Sequence, residues 1–361
     1  MDRTTRRLPD ESITSARADD GRATGRITLW TCLFAAALGL CQLGASVSGG
    51  MGALPKGGKW DLAVAMPEPR QEASPVALGN MIYLIGGYGA DGIASTVVQV
   101  YEVDGKKWRQ AAPMAEGLHH IGVAALDGKI YVVGGFTKSF RDRGPVDSVW
   151  QYDPASDRWE RRAPLPTPRG DLTVAVLDGR IYALGGERFS AAGSKEKYEP
   201  LADVAVYDPK ADKWEVLPPM RQKRDHLVAA AIGGRIYAVS GRERPIYTLQ
   251  TVEEYDPQTR TWRERAPMPT GRSGGTAAVV GNRLYVFGGE GNEDNSLGTF
   301  NQVEVYDPAR DSWTQLAPMP LPRHAFGAVV VGKRIYLPGG SIVQGGRAPG
   351  VTAIMDTFEP N

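Results

Sequence analysis

Six tryptophans constrain this 361-residue chain more than any other feature. Trp60, Trp108, Trp159, Trp214, Trp262 and Trp313 each stand 26 residues before Gly86, Gly134, Gly185, Ser240, Gly288 and Gly339. A second glycine follows each of those positions, and the tryptophans recur every 48 to 55 residues. A period of about 50 residues with paired glycines marks a radial repeat, each unit a small sheet that cannot bury its faces alone. The repeats run from Trp60 to Asn361, so they are read as one closed domain.

The third unit shows the anatomy. TVAVL and RIYAL are apolar and rich in β-branched residues, and Asp178-Gly179 between them is a strong hairpin signal. VAVY and WEVL form a second pair, joined by Asp-Pro and a polar turn. That makes four short antiparallel strands, a to d. Neither pair alternates cleanly, as expected for sheets covered on both faces. A tyrosine stands seven residues before the tryptophan in five units: Tyr101, Tyr152, Tyr207, Tyr255 and Tyr306. These rings are expected to fill the wedge between neighbouring sheets with their polar tips left wet. The glycines end strand b, where the backbone approaches a neighbour or turns with positive φ.

Gly-Gly after an Ile-Tyr strand, then Tyr-Asp-Pro, Trp and Met-Pro-x-x-Arg resemble the kelch repeat throughout residues 60–361. The resemblance implies an all-β fold, a six-bladed β-propeller of four-stranded kelch blades. The sixth unit ends at Phe358-Glu359-Pro360, with no tryptophan and no strand d after it. Lys59 to Ala63 precedes the first Met-Pro, so the N-terminal strand is expected to complete the last blade and remove both free edges.

The domain has 34 Lys plus Arg against 36 Asp plus Glu, too little positive charge for a nucleic-acid partner. Both cysteines, Cys32 and Cys41, precede the repeats. The repeats therefore hold no disulfide and no thiolate site, and the kelch copper oxidases, which need a cysteine joined to a tyrosine, are excluded. Residues 1–26 are polar and carry six arginines, and residues 27–46 are an apolar run that reads as a signal peptide or a membrane anchor. Residues 47–58 are a Gly/Ser-rich linker to the propeller at 59–361. Either reading of the apolar run puts the propeller outside the cytoplasm, with membrane contact only through that run.

Spacing divides each repeat into a rigid and a free part. Tyr to Trp is 7 residues, Trp to the Met-Pro-x-x-Arg arginine 10, and that arginine to the glycines 16. All variation, from 15 to 22 residues, lies between the glycines and the next Tyr, in the loop joining strands b and c. Strand direction alternates, so the b–c loops share one face with the d–a connections, and a binding surface is expected there.

Arg70, Arg169, Arg224, Arg272 and Arg323 are expected at the channel mouth on that face, where guanidiniums suit carboxylate or phosphate. The alternative reading makes each a repeat residue that binds blade-edge carbonyls or an acidic neighbour. Glu72, His120, Asp171, His226 and His324, with Glu187, Arg242 and Glu290 beyond the glycines, complete the candidate set. The Glu290 loop reads as solvated. The histidines come from different blades, and neither a metal nor a cofactor is expected. Tyr88, Phe136, Phe140, Phe189, Tyr198, Tyr247 and Phe300 are the expected aromatic contacts.

The expected function is a recognition module for a protein or a glycan. The alternative comes from resemblance in length, blade number and export signal to the bacterial N-acetylneuraminate epimerases, which implies a sugar mutarotase. In it an arginine would hold the sugar carboxylate, and a Glu or His would move the ring-opening proton. No catalytic residue is assigned.

Overall fold

The computed structural model describes residues 57–345 and 350–361. The polar leader, the apolar run and most of the linker lie outside the described residues. No helix among the described residues is long and apolar enough to cross a membrane.

Six four-stranded antiparallel sheets form the ring. Blade 1 runs Ser74–Leu78, Met81–Ile85, Val98–Glu102 and Lys107–Ala111, and the next four repeat that order. In every blade strand a is innermost, beside strand a of its neighbours. Blade 6 takes strands a to c from Val329–Val331, Arg334–Pro338 and Met355–Glu359, and its outer strand is Lys59–Leu62. Lys59 pairs with Glu359 and Leu62 with Asp356, so the N-terminal strand closes the ring as expected. Trp60 lies 4.8 Å from the Phe358 ring and meets Phe287 of blade 5 edge-on at 6.0 Å.

The repeat residues act between blades. Each tryptophan indole donates to a carbonyl of the preceding blade: Trp159 to Ala112 at 2.9 Å, Trp214 to Ala163 at 2.9 Å, Trp262 to Pro218 at 3.0 Å and Trp313 to Ala266 at 2.9 Å. Trp60 and Trp108 do the same to Ala317 and Val64. The tips are therefore bonded to protein, not left to water as the sequence suggested. The reason is that strand d of one blade overhangs the Met-Pro turn of the last.

The glycine doublet makes the second clasp. The amides of Gly87, Gly135, Gly186, Gly241, Gly289 and Gly340 donate to the Leu118, Arg169, Arg224, Arg272, Arg323 and Arg70 carbonyls of the following blade, at 2.8 to 3.1 Å. A Cβ on Gly288 would stand 2.4 Å from the Arg323 carbonyl oxygen, too close for any side chain. Between these clasps lie apolar seams, such as Ile85, Val98 and Val100 of blade 1 against Ile130 and Val132 of blade 2. Fully burying such a side chain stabilises by about 1.5–3 kcal/mol.

The b–c loops and d–a connections share one face. The residue after the arginine position bridges the residue after the glycine doublet in every blade, as in Gly170 with Glu187, Asp225 with Arg242 and Ser273 with Glu290. Two b–c loops add small hairpins, Phe136–Thr137 with Gly144–Pro145 and Glu187–Phe189 with Tyr198–Pro200.

Candidate functional site

A closed ring of backbone hydrogen bonds rims the channel on the loop face. Glu72, His120, Asp171, His226, Gly274 and Ala325 occupy the same place before strand a in successive blades, each with φ between 50° and 60°. The amide of each donates to the carbonyl of its predecessor at 2.8 to 3.3 Å, and Glu72 donates to Ala325 to close the circle. This left-handed conformation is unusual for residues other than glycine, and six neighbours hold it by one another. It brings the polar side chains of blades 1 to 4 together above a channel of about 210 Å³, while Gly274 and Ala325 bring no polar side chain of their own to the other side. Small and apolar residues, among them Pro75, Gly122, Val174 and Gly275, line the channel below.

The side chains connect into one network. His120 Nε2 lies 3.2 Å from both Glu72 and Asp171, and His226 Nε2 lies 3.3 Å from Asp171. His226 Nδ1 meets Asp225 Oδ1 at 2.6 Å. Arg242 donates to Asp225 at 2.6 Å and to Glu290 at 2.9 Å. Glu290 reaches His324 at 3.3 Å and accepts from the Gly345 amide at 3.0 Å. Beside this chain Arg143 donates to Glu187, with its guanidinium 4.5 Å from the centre of the Tyr198 ring. Arg244 stands 3.7 Å from the other Glu187 oxygen.

The electrostatics are strongly perturbed. Burial works to raise the Glu72 carboxyl, but His120, with His226 and His324, holds it well below the usual carboxylate range. Burial pushes Asp171 up to about 7. Burial and Arg242 oppose a charge on His226, yet Asp171 and Asp225 outweigh them and hold it at about 9. Against its own burial, Asp225 is pulled down to about 2 by Arg242 and His226. Burial, then the neighbouring His120, drives His119 down to about 2, so that ring stays neutral. Titratable groups pushed apart in this way, in a concavity, mark a candidate site.

The five repeat arginines lie elsewhere. Arg169, Arg224, Arg272 and Arg323 are fully buried inside their blades, and Arg70 is nearly so. Arg70, Arg169, Arg224, Arg272 and Arg323 donate to the Gly86, Ala183, Ser240, Val286 and Leu337 carbonyls of their own strand b. Arg224, Arg272 and Arg323 pair with Glu253, Glu304 and Asp356 on strand c, and Arg70 with Glu68. Arg169 stands 3.7 Å from Asp203. The expected guanidinium funnel is thus replaced by interior ties, because each side chain turns back into its blade. Glu290 also departs from expectation: it is buried in the network rather than solvated. Tyr88, Phe136, Tyr198 and Phe300 are buried and Phe140 is half-buried, which leaves Phe189 and Tyr247 as the exposed rings among the expected contacts.

The structure brings together Glu72, His120, Asp171, Glu187, His226, Arg242, Glu290 and His324, and adds Asp225 and Arg143. Asp225 had a signal, since it stands at the d–a bridging position of blade 4. Arg143 had none, because it comes from a b–c loop with no fixed offset.

Residues 58–223 and 192–340 match the family description "KLHDC2/KLHL20/DRC7 Kelch-repeats domain". The chain belongs to the kelch-repeat family. It is 29% identical over 213 residues to Kelch-like protein terF of Aspergillus terreus, covering 58% of this chain and 46% of that one. It is 39% identical over 215 residues to Kelch-like protein 26 of Mus musculus, covering 59% and 34%. In both cases this kelch chain spans less than half of the relative's length. The solved structure titled "Structure of YjhT" superposes with a TM-score of 0.67 at 17% identity, covering 81% of this chain and 96% of that one, which shows a shared fold. Kelch domains are in general protein-interaction modules, and in this one the glycine and tryptophan positions of the repeat build the ring that carries the mouth.

Proposed function

We propose that this kelch propeller is a non-catalytic recognition module that binds a polypeptide on its b–c loop face. One observation carries the reading. Of the eight large apolar side chains exposed among the described residues, five, Ile93, Phe189, Ile246, Tyr247 and Leu297, lie in b–c loops around the ion-paired mouth, and Leu62, Val64 and Val216 lie on or beside outer strands. Apolar and aromatic anchors beside a polar centre are the anatomy of a protein interface. A groove of about 1020 Å³ runs between the loops of blades 4 to 6, lined by Tyr247, Asn292, Leu297 and Gln344. The arginine-rich leader and the uncharged run after Arg26 support a place outside the cytoplasm, of the bacterial extracytoplasmic type. A glycan is the other ligand class that aromatic and polar loops suit.

Panning a displayed peptide library on the full chain, with a glycan array in parallel, tests the proposal. Peptides are expected to enrich, and Ile246→Asp with Tyr247→Ala is expected to weaken them at least tenfold without lowering the melting temperature. Glycan hits alone, or peptides indifferent to both changes, contradict it.

A mutarotase is the second reading, favoured by Glu72, His120, Asp171 and His226 lining the channel as acid–base groups. Arg242 or Arg244, and not the buried repeat arginines, would then hold a sugar carboxylate. That reading predicts faster exchange between sialic acid anomers, followed by NMR, and unchanged exchange with folded protein rejects it.

A further inference from the structure

We propose that Glu72, His120, Asp171 and His226 form a tetrahedral site for a divalent transition cation, with Zn²⁺ the ion that fits best. Their origin in four different blades does not separate them, because the hydrogen-bonded ring gathers the four positions side by side. His120 Nε2 lies 3.2 Å from Glu72 Oε1 and 3.2 Å from Asp171 Oδ1, and His226 Nε2 lies 3.3 Å from Asp171 Oδ1. Nitrogen and oxygen donors around a tetrahedral zinc ion stand about 3.3 Å apart, so half the edges of that polyhedron are preformed. Glu72, His120 and His226 also each offer a donor atom within 4.8 Å of the others, and Asp171 joins His226 in a second such group with Asp225.

A second observation points the same way. The Asp171 side chain is inaccessible to solvent, and neither of its oxygens has a well-formed hydrogen bond. Buried carboxylates are paired, hydrogen-bonded or bound to a metal, and the contacts of Asp171 with His120 and His226 at 3.2 and 3.3 Å leave its oxygens free to coordinate. Both imidazoles already commit Nδ1 elsewhere, His226 to Asp225 at 2.6 Å and His120 to His119. Asp225 accepts from Nδ1, so the proton that His226 gives up to an incoming cation is the one on Nε2, and the lone pair so freed faces an Asp171 oxygen. A cation between them takes the place of that proton with two coordinate bonds. Asp225 then stands behind His226 as the carboxylate that orients a metal-bound imidazole. With four protein donors the site is closed, as structural sites are, and it pins four blades of the ring. The proposal is independent of the peptide reading.

Full chain stripped by a chelator and titrated with Co²⁺ tests the site, since tetrahedral Co²⁺ absorbs strongly in the visible. One equivalent is expected to develop those bands, lose them on adding Zn²⁺, and raise the melting temperature. Asp171→Asn and His226→Gln are expected to abolish the bands, and Asp225→Asn to weaken binding about 10- to 100-fold. Absence of bands in the unaltered chain, or bands that persist in Asp171→Asn and His226→Gln, overturns the proposal. If those variants do not fold by circular dichroism, X-ray absorption of the zinc-loaded chain decides. Two imidazole ligands support the site, and fewer than two reject it.

Discussion

Arg272 shows how one residue acquires its role in this chain. Its guanidinium is wholly buried, donates to the Val286 and Thr270 carbonyls, and pairs with Glu304 on strand c. Removing one partner strands the other charge in the blade, so Arg272→Ala is expected to cost about 3–5 kcal/mol in urea unfolding. The paired change Arg272→Met with Glu304→Leu removes both charges and is expected to cost much less. The 16-residue spacing placed the arginines correctly along the chain but said nothing about where the side chains point. The informative signal was on strand c. Glu253, Glu304 and Asp356 stand two residues before Tyr255, Tyr306 and Phe358, whereas Trp150 takes that place in blade 2, where Leu118 replaces the arginine. Gln99 and Ala205 take that place in blades 1 and 3, where Arg70 and Arg169 turn to Glu68 and Asp203 instead, so the strand c acid marks the buried pair in blades 4 to 6.

At the level of the blade, the turn between strands c and d works as a staple. Tyr207 donates to Asp212 at 2.5 Å, and Asp212 also accepts from the Ala163 amide of the preceding blade at 2.9 Å. Tyr152 with Asp157 and Tyr306 with Asp311 repeat the arrangement. The Tyr207 hydrogen bond, then the Ala163 amide, lower the Asp212 carboxyl. A lowered carboxyl adds stability above its unfolded value of 3.8, and that stability is lost as pH falls through the folded value. Asp212→Asn is therefore expected to flatten the acid limb of a melting temperature profile below pH of about 4 and to leave its neutral limb unchanged in shape. The four-strand pattern and the tight turns were legible in Asp-Gly, Tyr-Asp-Pro and Trp. The staple was not, because its partner lies about 45 residues away in another blade, at a distance only closure of the ring reveals.

For the whole molecule, closure by the N-terminal strand was readable because blade 6 lacked a piece and residues 59–63 supplied it. Deleting residues 59–66 opens the ring and exposes the edge of Met355–Glu359, and it is expected to replace a single cooperative unfolding transition by several. Unchanged melting would show that the N-terminal strand does not clasp the ring. Closure also gathers residues that no local pattern joins. Glu72, His120, Asp171 and His226 lie about 50 residues apart in sequence, and they converge because each stands just before strand a in the same left-handed conformation. The fixed-spacing clasps lie inside the blades, the freedom lies in the b–c loops, and the proposed function is on the face those loops share. Hydrogen–deuterium exchange of the full chain, with and without the best ligand from the peptide and glycan screens, tests this most directly. Protection is expected in the b–c loops and around residues 72, 120, 171 and 226. Protection confined to the a–b and c–d turns on the opposite face would contradict it.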